Sequence, residues 1–197
     1  SGEFLEILIN RKILEPNLRY KDLHTGDRDA ILIWLRATGY GTEYPIQVLD
    51  DNNIPFDTEI DLSTLKTKKL GAEPDNEGLI TFKMPNSKDI IKFKFLTNGD
   101  VQDIENLLLK DNENGVQINS EATYILEHQI VEVNGDRDLN FIKSYVNNLR
   151  VLDAKAFRKF SNEVESGIDM IINIKAPGGE LISRFLPINP SFFWSND

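Results

Sequence analysis

"LITFKMPNSKDIIKFKFL", residues 79–96, decides the fold class. Phe82 and Met84 lead into Pro85-Asn86-Ser87, a turn-forming triplet. On the return, Ile91, Phe93 and Phe95 alternate with Lys92 and Lys94. Side chains of an extended chain point to opposite faces in turn, so this alternation reads as a strand with one apolar face. Two such runs joined by a short turn make an antiparallel hairpin.

The same pattern recurs on both sides. "YPIQVLDDNNIPFDTEIDL", residues 44–62, alternates about a polar DDNN. "GIDMIINIKAPGGELISRFLPI", residues 167–188, turns at Pro177, Gly178 and Gly179. Between the hairpins lie helical periods. Thr25 and Asp27 offer an N-cap and negative charge ahead of "DAILIWLRA", which is apolar almost all round and so should be buried on most sides. Gly39 or Gly41 should end it. Thr97 or Asn98 caps a second helix, whose apolar face is Val101, Ile104, Leu107 and Leu108. "DRDLNFIKSYVNNL" and "DAKAFRKFSNEV" give two more, the last with Asp153 as its cap. "ATYILEHQIVEVNG", residues 122–135, fits a strand or a helix that ends in a strand.

Strands do not alternate regularly with helices, which argues against a parallel sheet. The expectation is α+β: antiparallel hairpins packed with about four helices. Residues 1–20 read as an arm or linker stopped by Pro16, and residues 21–197 as one domain; the pattern also allows a hairpin subdomain over 42–96.

The 197 residues are 40% hydrophobic and 27% charged, enough for a core without metals or disulfides. Formal net charge is -10, with no lysine/arginine block, which disfavours a phosphate-backbone partner. There are no cysteines, so disulfides and thiolate chemistry are excluded. No run reaches the roughly 18 apolar residues of a membrane span. The opening residues lack a basic start and a small-residue cleavage site, so no signal peptide is expected.

Chemical motifs are sparse. The histidines are His24 and His128, without paired-ligand spacing, and His128 reads as a structural strand histidine. "DDNNIPFDTEID" lacks calcium-loop spacing and reads as a solvated turn. No glycine-rich phosphate loop and no nucleophile elbow occurs. No metal, cofactor or catalytic residue is expected. Two features stand out. An arginine on an apolar helix needs a partner, so Asp27 and Arg36 are expected to form a structural salt bridge, with Arg28 and Tyr40 expected at a partner interface. "SFFWSND" carries three adjacent aromatics, which cannot all face one core from an extended segment. Phe192, Phe193 and Trp194 are therefore expected at a partner interface, against the alternative of a strand closing the domain.

"DLHTGDRDAILIWLRATGYGTEYPIQV", "DTEIDLSTL", "IKFKFLTNGD" and the closing "PSFFW" together resemble the baseplate hub and hub-assembly proteins of T-even-type contractile-tailed bacteriophages. The likeness runs loosely from about Leu18 to Trp194. Similar members often carry a CxxC pair after the Gly-Tyr block, where a zinc knuckle would sit; here that stretch is "LDDNNIPFDTEIDL", without cysteine. The resemblance implies a structural protein of the tail baseplate, assembled in the host bacterial cytoplasm and partnered by other baseplate and tail proteins, not by nucleic acid or membrane. It leaves open an assembly chaperone absent from the mature virion. A cell-wall glycan hydrolase is the alternative of a different class, and would need two carboxylates facing across a cleft.

Overall fold

A computed structural model describes residues 2–115, 120–188, 192 and 193. Six α-helices and nine strands run through them, and every sheet is antiparallel. The fold is α+β. There are six helices rather than about four, because residues of the expected arm and of 122–135 are helical. Contacts divide the chain into two units, each built from separate stretches. Unit 1 comprises Ser1–Leu18, Gly26–Lys68 and Ser166–Asp197; unit 2 comprises Arg19–Thr25 and Lys69–Glu165. This differs from an arm plus one domain. It also splits the 42–96 span, whose two hairpins fall in different units.

Unit 1 begins with α1 (Gly2–Asn10). Leu5 and Ile9, one turn apart, are buried on one side of it, so the opening residues belong to a core. Next comes α2 (Thr25–Tyr40), whose first residue lies in unit 2. It passes through Gly39 and ends at Gly41, which adopts a positive φ of 91°. Leu32, Ile33 and Arg36 are its buried residues, a single stripe at helical spacing. Trp34 is 62% exposed, so the helix is not covered on most sides. A Cβ on Gly26 would collide with the carbonyl oxygen of Ser166, so the start of α2 lies backbone to backbone against that segment.

The strands of unit 1 are β1 (Glu43–Leu49), β2 (Pro55–Asp61), β3 (Thr67–Lys68), β7 (Gly167–Ile168), β8 (Ile171–Lys175) and β9 (Leu181–Phe185). They form three separate two-stranded sheets: β1 with β2, β3 with β7, and β8 with β9. The hairpins read from sequence are those of β1–β2 and β8–β9, and their inward rows include Tyr44, Val48, Ile60, Ile172, Ile174 and Ile182.

Unit 2 holds a three-stranded sheet in the order β4 (Ile80–Lys83), β5 (Ile90–Phe93), β6 (Ile130–Val133). Its helices are α3 (Asn98–Glu113), α4 (Glu121–Gln129), α5 (Leu139–Asn147) and α6 (Val151–Val164). The core joins Ile91, Phe93, Val133, Ile142 and Phe157. The ring of Phe93 meets that of Phe157 edge-on at 4.9 Å. Thr97 caps α3 as read, in a reciprocal box with Asp100. Residues 122–135 take the second of their two readings, a helix running into a strand. His128 therefore sits on α4, with its Nδ1 2.7 Å from the Tyr124 carbonyl, rather than on a strand.

Asp153 is not the cap of α6, which starts two residues earlier at Val151. Its side chain is fully buried and anchors the turn of the opening stretch instead. It accepts hydrogen bonds from Asn86 N–H at 2.8 Å, the Asn86 side chain at 3.0 Å and Ser87 N–H at 3.1 Å. Burial raises its pKa, but these three donors outweigh that and hold it below the usual carboxylate range. One acid replaces the missing ladder partners of a turn 67 residues away.

Candidate functional site

The expected site residues lie in unit 1, and the structure treats them unequally. Asp27 and Arg36 do not pair. Nine residues along a helix put them about 13.5 Å apart along the axis and on opposite faces. Asp27 is exposed, whereas Arg36 is 5% exposed. Its Nε and Nη1 are buried without a hydrogen-bond partner. Its guanidinium lies 4.9 Å from the ring centre of Tyr40 and 5.6 Å from that of Tyr44. Two aromatic faces thus offset part of the cost of burying the charge. Burial pushes the Tyr44 phenol up, and the charge of Arg36 pulls it partly back. Tyr40 keeps its outer surface exposed.

Arg28 pairs with its neighbour Asp29 at 2.7 Å. Burial pushes the Asp29 carboxyl up, against the opposing pull of Arg28. Phe192 and Phe193 are buried within unit 1, not presented at its surface. Phe192 meets the Tyr44 ring edge-on at 4.8 Å, and Phe193 meets Phe4 at 6.4 Å. They pack against the core beside α1 and β1, from a turn and not from the closing strand of the alternative. Trp194 lies outside the described residues.

A surface that sequence reasoning missed lies between β2 and β8. A cleft of about 480 Å³ is lined without a break by residues 58–61 and by Ile171–Lys175. Neighbouring strand residues point to opposite faces, so an unbroken run of lining residues means that the edge of each strand, not a face, borders the cleft. Neither β1 nor β9 contributes to the lining. Among the described residues, no strand pairs with β2 or β8 on this side. At one end the cleft is closed where Asp169 N–H donates to the Lys66 carbonyl at 2.8 Å, continuing the β3–β7 ladder.

Beside the cleft, the outer face of β8–β9 is mixed: Asn173, Ser183 and Lys175 share it with three large apolar side chains. Ile171 and Phe185 are cross-strand partners, 50% and 63% exposed, and Leu181 lies on the same face beyond the Asn173–Ser183 pair. The outer row of β2 is acidic: Asp57, Glu59 and Asp61. The Ser63 hydroxyl, then its backbone N–H, hold the Asp61 carboxyl below its ordinary range. The Asp169 carboxylate accepts from Ile171 N–H at 3.1 Å. One sequence signal marks the β2 edge: Pro55 sits in that strand, and proline is tolerated only where no ladder bond is lost.

Among the described residues, no group of three or more His, Asp or Glu side chains is placed to hold a metal ion. No helix among them is long and apolar enough to cross a membrane. No family model, curated protein or solved structure matches the chain.

Proposed function

We propose that this chain is a structural protein of a phage contractile-tail baseplate, contributing to hub assembly through protein–protein contacts and without substrate turnover. The observation that carries the reading is the surface of unit 1. Two unpaired strand edges border one cleft, beside the exposed cross-strand pair Ile171 and Phe185. Unpaired edges and apolar rows are liabilities in a chain that works alone, and docking features in one that assembles. The block from Asp22 to Val48, which bears the likeness to hub and hub-assembly proteins, supplies α2 and β1 of that unit.

The chemistry of the cleft favours binding over hydrolysis. A glycan hydrolase needs one carboxyl held protonated opposite a second. Here Asp61 is held in its charged form, Glu59 stands in the same outer row of β2, and Asp169 accepts from Ile171 N–H of its own strand. The partners under this proposal are other baseplate and tail proteins, and the place of action is the tail of the particle.

The test is co-expression of the full chain with candidate tail proteins, together with mass spectrometry of purified virions. The expected outcome is a stable complex, with peptides of this chain in the particle at fixed stoichiometry. A complex without virion peptides would make it an assembly chaperone. A chain that stays monomeric beside every tail protein would overturn the proposal.

A further inference from the structure

The ladder geometry specifies which atoms border the cleft. In β1–β2, Asp50 N–H donates to the Ile54 carbonyl at 2.9 Å and Leu62 N–H to the Thr42 carbonyl at 2.8 Å, fixing the bonded pairs at both ends. Antiparallel ladders alternate bonded and non-bonded pairs. Val48–Phe56, Ile46–Thr58 and Tyr44–Ile60 are therefore the bonded pairs, and Asp57, Glu59 and Asp61 turn N–H and C=O to the far edge. Pro45 and Pro55 both fall at non-bonded positions, in agreement. In β8–β9, Ala176 N–H donates to the Glu180 carbonyl at 2.9 Å and Leu186 N–H to the Met170 carbonyl at 2.8 Å. Ile172 and Ile174 thus bond β9, while Asn173 and Lys175 present N–H and C=O to the cleft.

We propose that the cleft receives an extended segment of another protein, inserted as a strand that hydrogen-bonds to β2 and β8 at once. The two hairpins would become one five-stranded sheet, a case of strand addition with two receiving edges. β2 leads into the β3–β7 ladder and β8 leads out of it, so the segment runs parallel to one edge and antiparallel to the other. Its side chains are specified by what they meet. Alternate positions face Ile60, Ile172 and Ile174, which are buried and apolar. The intervening positions lie between the carboxylates of Glu59 and Asp61 on β2 and Ile171, Asn173 and Lys175 on β8. Lys175 stands at the end of β8 away from the β3–β7 ladder and Lys66 at the closed end, so a base is favoured at the positions beside Glu59 and Asp61. The occupant is accordingly a segment alternating apolar and basic residues. This deepens the reading of unit 1 as a protein-binding surface and is independent of the baseplate assignment.

The probe is a capped peptide alternating lysine and valine, added to the full chain, with amide hydrogen exchange followed by NMR. The expected result is exchange slowed about tenfold or more at Glu59, Asn173 and Lys175. Asn173→Pro removes one edge N–H and should weaken binding about tenfold or more. Ser183→Pro, on the far edge of the same hairpin, should leave binding unchanged. A peptide with proline at its centre tests the same bond without touching the protein, and should also bind weakly. A glutamate–valine peptide should not bind. Binding without protection at the three amides would be charge adsorption and would overturn the proposal. So would protection that appears without peptide and grows with protein concentration, which would make a second copy the occupant. A chain that takes the peptide as a strand yet joins no tail protein would sink the baseplate reading alone. One that joins tail proteins and leaves the three amides unprotected would sink strand insertion alone.

Discussion

The hairpins β1–β2 and β4–β5 look alike in sequence and differ in what covers them. In unit 2, β6 pairs with the outer edge of β5, so that strand is bonded on both sides. The turn between β4 and β5 is held in addition by the buried Asp153. In unit 1, β2 has β1 on one side and a cleft on the other. The lesson is that alternation specifies a hairpin, while a covering strand from distant sequence decides whether its edge is closed. A closed edge stabilises; an open one is available to a partner.

The sharpest way to break this contrast is to attack the core beneath the open edges. Phe192→Ala removes a fully buried ring that meets Tyr44, and should cost about 3–5 kcal/mol in chemical denaturation. If Phe192 instead belonged to an interface, the isolated chain would lose almost nothing. The next test acts on the closed hairpin. Asp153→Ala leaves the Asn86 and Ser87 donors without their acceptor. Melting temperature should fall on the order of 5–10 °C, and the amides of Asn86 and Ser87 should exchange faster. Unchanged amides would show that the turn holds itself.

A smaller effect should appear in acid. Hydrogen bonding to Lys92, then to Leu79 N–H, lowers the Asp75 carboxyl to about 2 from 3.8. A lowered folded value means that its stabilisation is complete above about pH 4 and is lost as pH falls toward 2. Asp75→Asn should therefore lower stability modestly at neutral pH and flatten its further loss between those limits; an unaltered acid limb would refute the pairing. The smallest effect is expected at Arg36→Met. Its guanidinium is buried without a carboxylate, so an apolar side chain of similar volume should be neutral or mildly stabilising. A loss of several kcal/mol would mean that Arg36 does have a charged partner.

Local signals carried most of the fold. Three hairpins, the cap at Thr97 and the end of α2 at Gly41 were legible because each depends on neighbouring residues. The division into units was not, since each is stitched from separate stretches. Asp153 sits near the start of a helix, where an acid reads as a cap; its true partners lie 67 and 66 residues away. Arg36 was rightly suspected of a special environment, but pattern cannot distinguish a carboxylate from two tyrosine rings. Phe192 and Phe193 were legible as important, but not their inward direction, because it depends on contacts with the distant Phe4 and Tyr44. The cleft left one trace, Pro55, placed where β2 gives up no bond.

The central claim is that the edges of β2 and β8 are open, and residue-resolved hydrogen exchange on the chain alone tests it most directly. The account predicts alternation: slow exchange at Ile60, Ile172 and Ile174, whose amides bond within the hairpins, and fast exchange at Glu59, Asn173 and Lys175. Uniformly slow exchange along both strands would contradict it, because the edges would already be paired.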